Sequence, residues 1–105
     1  MNIASFLTNT VARIPDRLAI RFKGETITFR ELNARVDALA HGLSKAGLKP
    51  GDFCVLMMPE SPNWPISYYA LAKVGAVVIP VNPTYRKREL EHIFRDTGAR
   101  AFMGH

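Results

Sequence analysis

Three consecutive stretches decide the fold: Phe53-Cys54-Val55-Leu56-Met57-Met58, then Asn63 through Gly75, then Ala76-Val77-Val78-Ile79-Pro80-Val81. The first and last are apolar without alternation, which suits strands covered on both faces, as in a parallel sheet. The segment between them has helical length, and Gly75 is placed to end that helix just before the second strand. Strand, helix and strand in this order make a parallel pair joined by a right-handed crossover. Ser61 is a poor cap for the helix, because Pro65 would then stand at the fourth helical position and lack a needed donor, so Asn63 is the expected cap. The expected inner stripe is Trp64, Tyr68, Leu71 and Ala72. Pro50-Gly51-Asp52 turns the chain into the first run, and Asn82-Pro83 stops the second.

Working outward, Leu90, Ile93, Phe94 and Thr97 predict a further helix with those residues inward, ended by Gly98, after which Arg100-Ala101-Phe102-Met103 begins another strand. On the other side, Leu32, Val36, Leu39, Ala40 and Leu43 share one helical face. Thr28 caps that helix and Glu31 completes a capping box, with Ile27 stapled onto Leu32. At its far end Gly47 and Leu48 predict a Schellman turn closing on Leu43. Earlier still, Leu18, Ile20 and Phe22 alternate with Ala19, Arg21 and Lys23, and after a turn at Gly24-Glu25 the run Thr26 to Phe29 alternates again, a small hairpin. Ile3, Phe6, Leu7, Val11 and Ile14 predict an opening helix, capped by Asn2 and stopped by Pro15.

The expected fold class is α/β: an N-terminal helix and β-hairpin followed by a β-α-β-α-β parallel-sheet unit, a single partial domain over 1–105 with no internal boundary. The last strand stops almost as soon as it starts, so the sequence reads as cut. Its open sheet edge and uncovered face are expected to promote a homo-oligomer.

Composition bounds the function. The 105 residues are 48% hydrophobic and 22% charged, as in one soluble globular domain. That size supports a core without metal or disulfide staples, but not a large enzyme's complete active site. Cys54 is the only cysteine, so no intramolecular disulfide can form and a cytoplasmic origin is the default. Peripheral membrane attachment of a longer parent is left open. The longest apolar stretch, Leu71 to Val81, contains Lys73 and Pro80, so no transmembrane segment is expected. The formal charge of +5 comes from 14 Lys and Arg against 9 Asp and Glu. Those basic residues are spread along the chain, which argues against nucleic acid as a partner. The competing reading is a complete small basic module that binds nucleic acid or a protein.

No catalytic, cofactor-binding or metal-binding residue is assigned. His41 and His92 fall opposite the apolar stripes of their helices and should face solvent, while His105 stands at the end without context. Cys54 lies in a strand expected to be buried, where a thiol is an inert small hydrophobe. Cys, His and carboxylates show no metal-ligand spacing. Gly42 through Gly47 has the glycine spacing of a P-loop, but Leu48 replaces its lysine and the segment is a helix end. Trp64, Tyr68, Tyr69 and Tyr85 read as core and subdomain interface, and Met57-Met58 as core filler. Arg86-Lys87-Arg88 opposes the macrodipole at a helix start. Read as functional it would meet an anionic partner, and read as structural it is a solvated helix start relieved by Glu89 and Glu91; the latter is preferred.

Ile27-Thr28-Phe29-Arg30-Glu31-Leu32 resembles the first core motif of the AMP-forming acyl-CoA synthetase, luciferase and adenylation-domain superfamily. Leu71-Ala72-Lys73-Val74-Gly75-Ala76-Val77-Val78-Ile79-Pro80-Val81-Asn82-Pro83 resembles its second. Asp16-Arg17-Leu18-Ala19, Leu48-Lys49-Pro50-Gly51-Asp52 and Glu89-Leu90 are similar to other family landmarks and come in the family's order. The Asn82-Pro83 ending resembles fatty-acyl and aryl-CoA ligases more than amino-acid adenylation domains. The sequence departs from the pattern at Arg86, where relatives often carry a Thr or Ser cap.

The resemblance implies the start of the large AMP-binding domain of a long-chain fatty-acid-CoA ligase, with the remainder of the synthetase chain as partner. It also implies ATP, Mg and CoA for the intact enzyme, and none bound by these residues. The family's phosphate loop, nucleotide contacts, metal-binding Glu and C-terminal lysine have no matching position among these 105, so the chain alone is expected to be inactive.

Overall fold

A computed structural model describes residues 3–59, 61–82, 84 and 87–104, the side chains of 3–6 and 87 lying outside that description. The chain runs α1 (Ile3–Arg13), β1 (Leu18–Phe22), β2 (Glu25–Thr28), α2 (Phe29–Lys45), β3 (Phe53–Met57), α3 (Asn63–Val74), β4 (Val77–Pro80), α4 (Lys87–Thr97) and β5 (Ala101–Gly104). β1 and β2 pair antiparallel as a hairpin, and β4-β3-β5 form a three-stranded sheet in which both pairings are parallel. This is the α/β arrangement expected from the sequence. The expected Asn2 cap lies outside the described residues.

Both ends of α2 follow from its sequence. The Thr28 hydroxyl accepts from the Glu31 amide at 3.2 Å, and the Glu31 carboxylate accepts from the Thr28 amide at 3.2 Å, a reciprocal cap contributing about 1 kcal/mol. At the other end the Gly47 amide donates to the Ser44 carbonyl and the Leu48 amide to the Leu43 carbonyl, each at 3.1 Å, the Schellman pattern.

Leu32, Val36 and Ala40 of α2 are buried in one cluster with Leu7 of α1, Ile27 of β2, and Ile66 and Ala70 of α3. A salt bridge from Lys73 to Asp37 ties α3 to α2 on the surface. The sheet supplies the second layer: Cys54, Val55 and Leu56 in β3 and Leu71 in α3 have no exposed surface. Thus α3 packs against helices and sheet at once, and β3, with a neighbour on either side, is the sealed strand.

Several sequence expectations are corrected. The buried residues of α3 are Ile66, Ser67, Ala70 and Leu71, while Trp64, Tyr68 and Ala72 are only half-buried. That helix is apolar nearly all round, so no polar face fixed its phase. Its cap is Pro62, already in helical backbone, with no side-chain cap bond from Asn63 or any other residue. Pro65 consequently falls at the third helical position, whose amide would lack an intrahelical partner anyway.

The hairpin turn is Lys23-Gly24, not Gly24-Glu25. Both residues have positive φ, +49° and +84°, as a type I′ turn requires. A bulge between Leu18 and Ile20 breaks the alternation, leaving Leu18 48% exposed while Ala19 packs on the core.

β4 was expected to be buried on both faces, but it lies at the sheet edge, where Pro80 costs no ladder bond, and Val77 is 43% exposed. Leu90, Ile93, Phe94 and Thr97 of α4 are half-buried rather than enclosed. Register places Val77 and Phe102 on the same sheet face as Val55, and that face is partly open.

Candidate functional site

The sheet topology indicates where a ligand would sit. From β3 the chain crosses through α3 to β4 on one side, then returns through α4 to β5 on the other. Connections that diverge in this way leave a crevice beyond the carboxyl ends of the two strands at which they part, here β3 and β5.

The residues at that edge are mostly apolar. β3 ends in Met57, followed by half-buried Met58 and exposed Pro59; β4 ends in Pro80. The Val81 amide donates to the Leu56 carbonyl at 2.9 Å, which carries the ladder one residue past β4. The Asn82 side-chain oxygen accepts from the Thr84 amide at 2.9 Å and from its hydroxyl at 2.8 Å, just past that strand. One hydroxyl is buried beside this edge. Ser67 in α3 is 2% exposed, and its Oγ donates to the Met58 sulfur at 3.7 Å. Sequence reasoning passed over Ser67, whose only signal was a polar residue inside an apolar helix. These groups can shape and orient an apolar ligand, but they include no acid, base or cation for chemistry.

At the opposite, amino edge, Asp52 joins the strands. Its carboxylate accepts from the Lys49 amide at 2.9 Å and lies 3.9 Å from the Arg100 guanidinium, while its carbonyl accepts from Val77 at 2.8 Å. These bonds hold the starts of β3, β4 and β5 in register, a structural task.

The structure disperses the other residues considered. His41 is exposed, and exposed His92 lies 3.2 Å from Asp96 on the same helix. Cys54 is buried; desolvation pushes its thiol pKa up, with a Met103 backbone hydrogen bond opposing. Trp64 and Tyr68 stack on each other at 5.2 Å, and Tyr69 meets Tyr68 edge-on and packs against the core. Trp64 and Tyr68 thus each cover one face of the other. Met57 and Met58 are half-buried at the carboxyl edge rather than in the core. Of Arg86-Lys87-Arg88, only the Arg88 side chain is described, exposed beside a concave surface of ≈ 550 Å³ that Glu89, Glu91, His92, Ile93 and Arg95 also line. Its mixed charges do not make a phosphate cradle. Tyr85, Arg86 and His105 lie outside the described residues.

Among the described residues no group of three or more His, Cys, Asp or Glu side chains converges to hold a metal ion. No described helix is long and apolar enough to cross a membrane.

Residues 7–105 match the family model described as AMP-binding enzyme. The long-chain-fatty-acid–CoA ligase of Escherichia coli O157:H7 is 39% identical over 97% of this chain, which spans 18% of that relative's length. The same-named ligase of Bacillus subtilis is 39% identical over 90% of the chain and 17% of its own length. Surfactin synthase subunit 1 of B. subtilis is 31% identical over 96% of the chain and 3% of its own length. Among solved structures, the Klebsiella oxytoca NpsA N-terminal subdomain in complex with 3-hydroxyanthranilyl-AMSN superposes with a TM-score of 0.94 at 33% identity, covering 98% of this chain and 26% of that one. The inhibitor-bound N-terminal domain of FACL13 from Mycobacterium tuberculosis gives 0.92 at 28% identity, again covering 98% and 26%.

Proposed function

Since this chain belongs to the AMP-binding enzyme family, we propose that it is the N-terminal scaffold of a fatty-acyl-CoA ligase. The intact enzyme activates a carboxylic acid as its acyl-AMP, releasing pyrophosphate, and then passes the acyl group to the thiol of CoA, releasing AMP. What carries the fatty-acyl reading is identity: 39% to the long-chain-fatty-acid–CoA ligases against 31% to surfactin synthase over nearly the same residues. The apolar edge formed by Met57, Met58, Pro59 and Pro80 is in keeping with an apolar acid.

In that enzyme the present residues fix the first strands of the sheet. The capping box sets α2, α2 and α1 seat α3, and α3 seats β3 and β4, so the carboxyl edge is held rigidly for loops that follow. The phosphate, metal and thiol chemistry belongs to residues beyond these.

The competing reading is adenylation of an aryl or amino acid, favoured by the NpsA superposition. ATP–pyrophosphate exchange by the intact protein with palmitate, 3-hydroxybenzoate and leucine separates the two. The fatty-acyl reading predicts exchange fastest with palmitate. Faster exchange with either other acid would replace it.

A further inference from the structure

One side chain at the carboxyl edge of the sheet is held in a way that packing does not require. The buried face of α3 is Ile66, Ser67, Ala70 and Leu71, and Ser67 is 2% exposed. A serine inside a helix gives up helix propensity relative to alanine, and burying its hydroxyl costs free energy unless a good acceptor meets it. The usual acceptor is the carbonyl four residues back. Ser67 instead donates to the Met58 sulfur at 3.7 Å, and a thioether accepts only weakly. An alanine, like Ala70 one turn on, would cost the fold less. A local rule broken without a gain in stability is the mark of a residue kept for the site.

What the Ser67 hydroxyl accomplishes is to fix Met58. A methionine has three rotatable bonds and ordinarily adapts its shape to what it meets. Held at its sulfur, Met58 instead offers a set apolar surface, and it is half-buried, so part of that surface is open. It stands one residue past β3, where β3 and β5 part. The described residues beside it at this edge, Met57, Pro59 and Pro80, carry no charge. Such a surface suits the apolar part of the acid and gives nothing to the phosphates of ATP.

We propose that Met58 is a specificity-determining contact for the apolar part of the acid, and that Ser67 is the positioning residue that holds its thioether in place. This rests on the acyl-activation reading above and adds to it the residue of this segment that the acid meets. Ser67 acts through Met58 and does not touch the acid itself.

ATP–pyrophosphate exchange by the intact protein tests this, with acid and ATP varied in turn, on whichever of palmitate, 3-hydroxybenzoate and leucine the parent exchanges fastest. Which acid that is decides the fatty-acyl reading, and the KM shifts decide the role of Met58. M58A should raise the KM for the acid roughly tenfold, the scale of losing a few apolar atoms from a pocket, with the KM for ATP unchanged. S67A should raise it about threefold, as for one modest hydrogen bond, and should leave the melting temperature unchanged or higher. M58L, which keeps the bulk without the sulfur, should match S67A and keeps the test open if M58A does not fold. The double variant S67A/M58A should equal M58A alone. A merely structural role would lower kcat and the melting temperature without separating the two KM values. That pattern would overturn the proposal, as would an unchanged KM for the acid in folded M58A, or effects of S67A and M58A that add. Exchange with none of the three acids would overturn this proposal and the acyl-activation reading together.

Discussion

Replacing Leu56 by Ala should cost the chain about 3 kcal/mol of folding stability, within the range for large-to-small changes at sealed core sites. Leu56 is wholly buried in β3, the strand bonded on both sides, and its carbonyl also receives the Val81 amide at 2.9 Å. Two parallel pairings fix the backbone around it, so little of the cavity can close by collapse. Against a total of about 5–15 kcal/mol for a domain of this kind, that loss lowers the melting temperature by roughly 12–24 °C. Leu18→Ala is the matched control: Leu18 is 48% exposed, and its replacement should change stability by less than about 0.5 kcal/mol. Urea melts of the two variants check the pair. A loss below about 1 kcal/mol at Leu56 would show that β3 is not the sealed strand.

Gly75→Ala should be nearly as damaging, for a reason of backbone rather than burial. Gly75 has φ of +89°, a region that costs an L-residue roughly 1–2 kcal/mol. An added Cβ would also lie 3.2 Å from the Pro50 Cβ and 3.3 Å from its Cα, tighter than ordinary contact. The backbone cannot readily shift away. The Gly75 amide donates to Ala72, its carbonyl accepts from Gly51 at 2.9 Å, and the next amide, Ala76, donates to Leu71. Together these predict a loss of about 2–3 kcal/mol. Gly42→Ala should go the other way by roughly 0.5–1 kcal/mol, because Gly42 lies inside α2 and a Cβ there meets nothing within 4 Å. Thermal melts that found the two substitutions equivalent would contradict the Gly75 geometry.

The readable parts of the sequence were those where side chains do local work. The capping box at Thr28 and Glu31 and the Schellman end at Gly47 each rest on residues within a few positions of one another, and both were found in place. Element order was equally legible, because apolar runs, helical spacing and glycine stops alternate without ambiguity.

What failed needed information from across the fold. Periodicity could not phase α3, since a helix packed on two layers has no polar side to announce its orientation. It could not say that β4 lies at an edge either, because an apolar run records hydrophobicity, not how many strands flank it. The bulge at Leu18 and Ile20 arises from pairing, and no residue type marks it. As for the site, the sequence marked Asn82-Pro83 as the end of β4 but assigned no ligand position. The switch point between β3 and β5 became visible only with strand order, and Ser67 emerged only once its hydroxyl was found beside Met58.

The central claim is that these residues build a scaffold for acyl activation and supply none of its phosphate chemistry. Incubating the 105-residue chain with Mg-ATP and palmitate, and following acyl-AMP by mass spectrometry alongside circular dichroism, tests it most directly. The account predicts a helical, cooperatively melting chain that forms no acyl-AMP above the protein-free blank. Acyl-AMP accumulating beyond one equivalent per chain would contradict it.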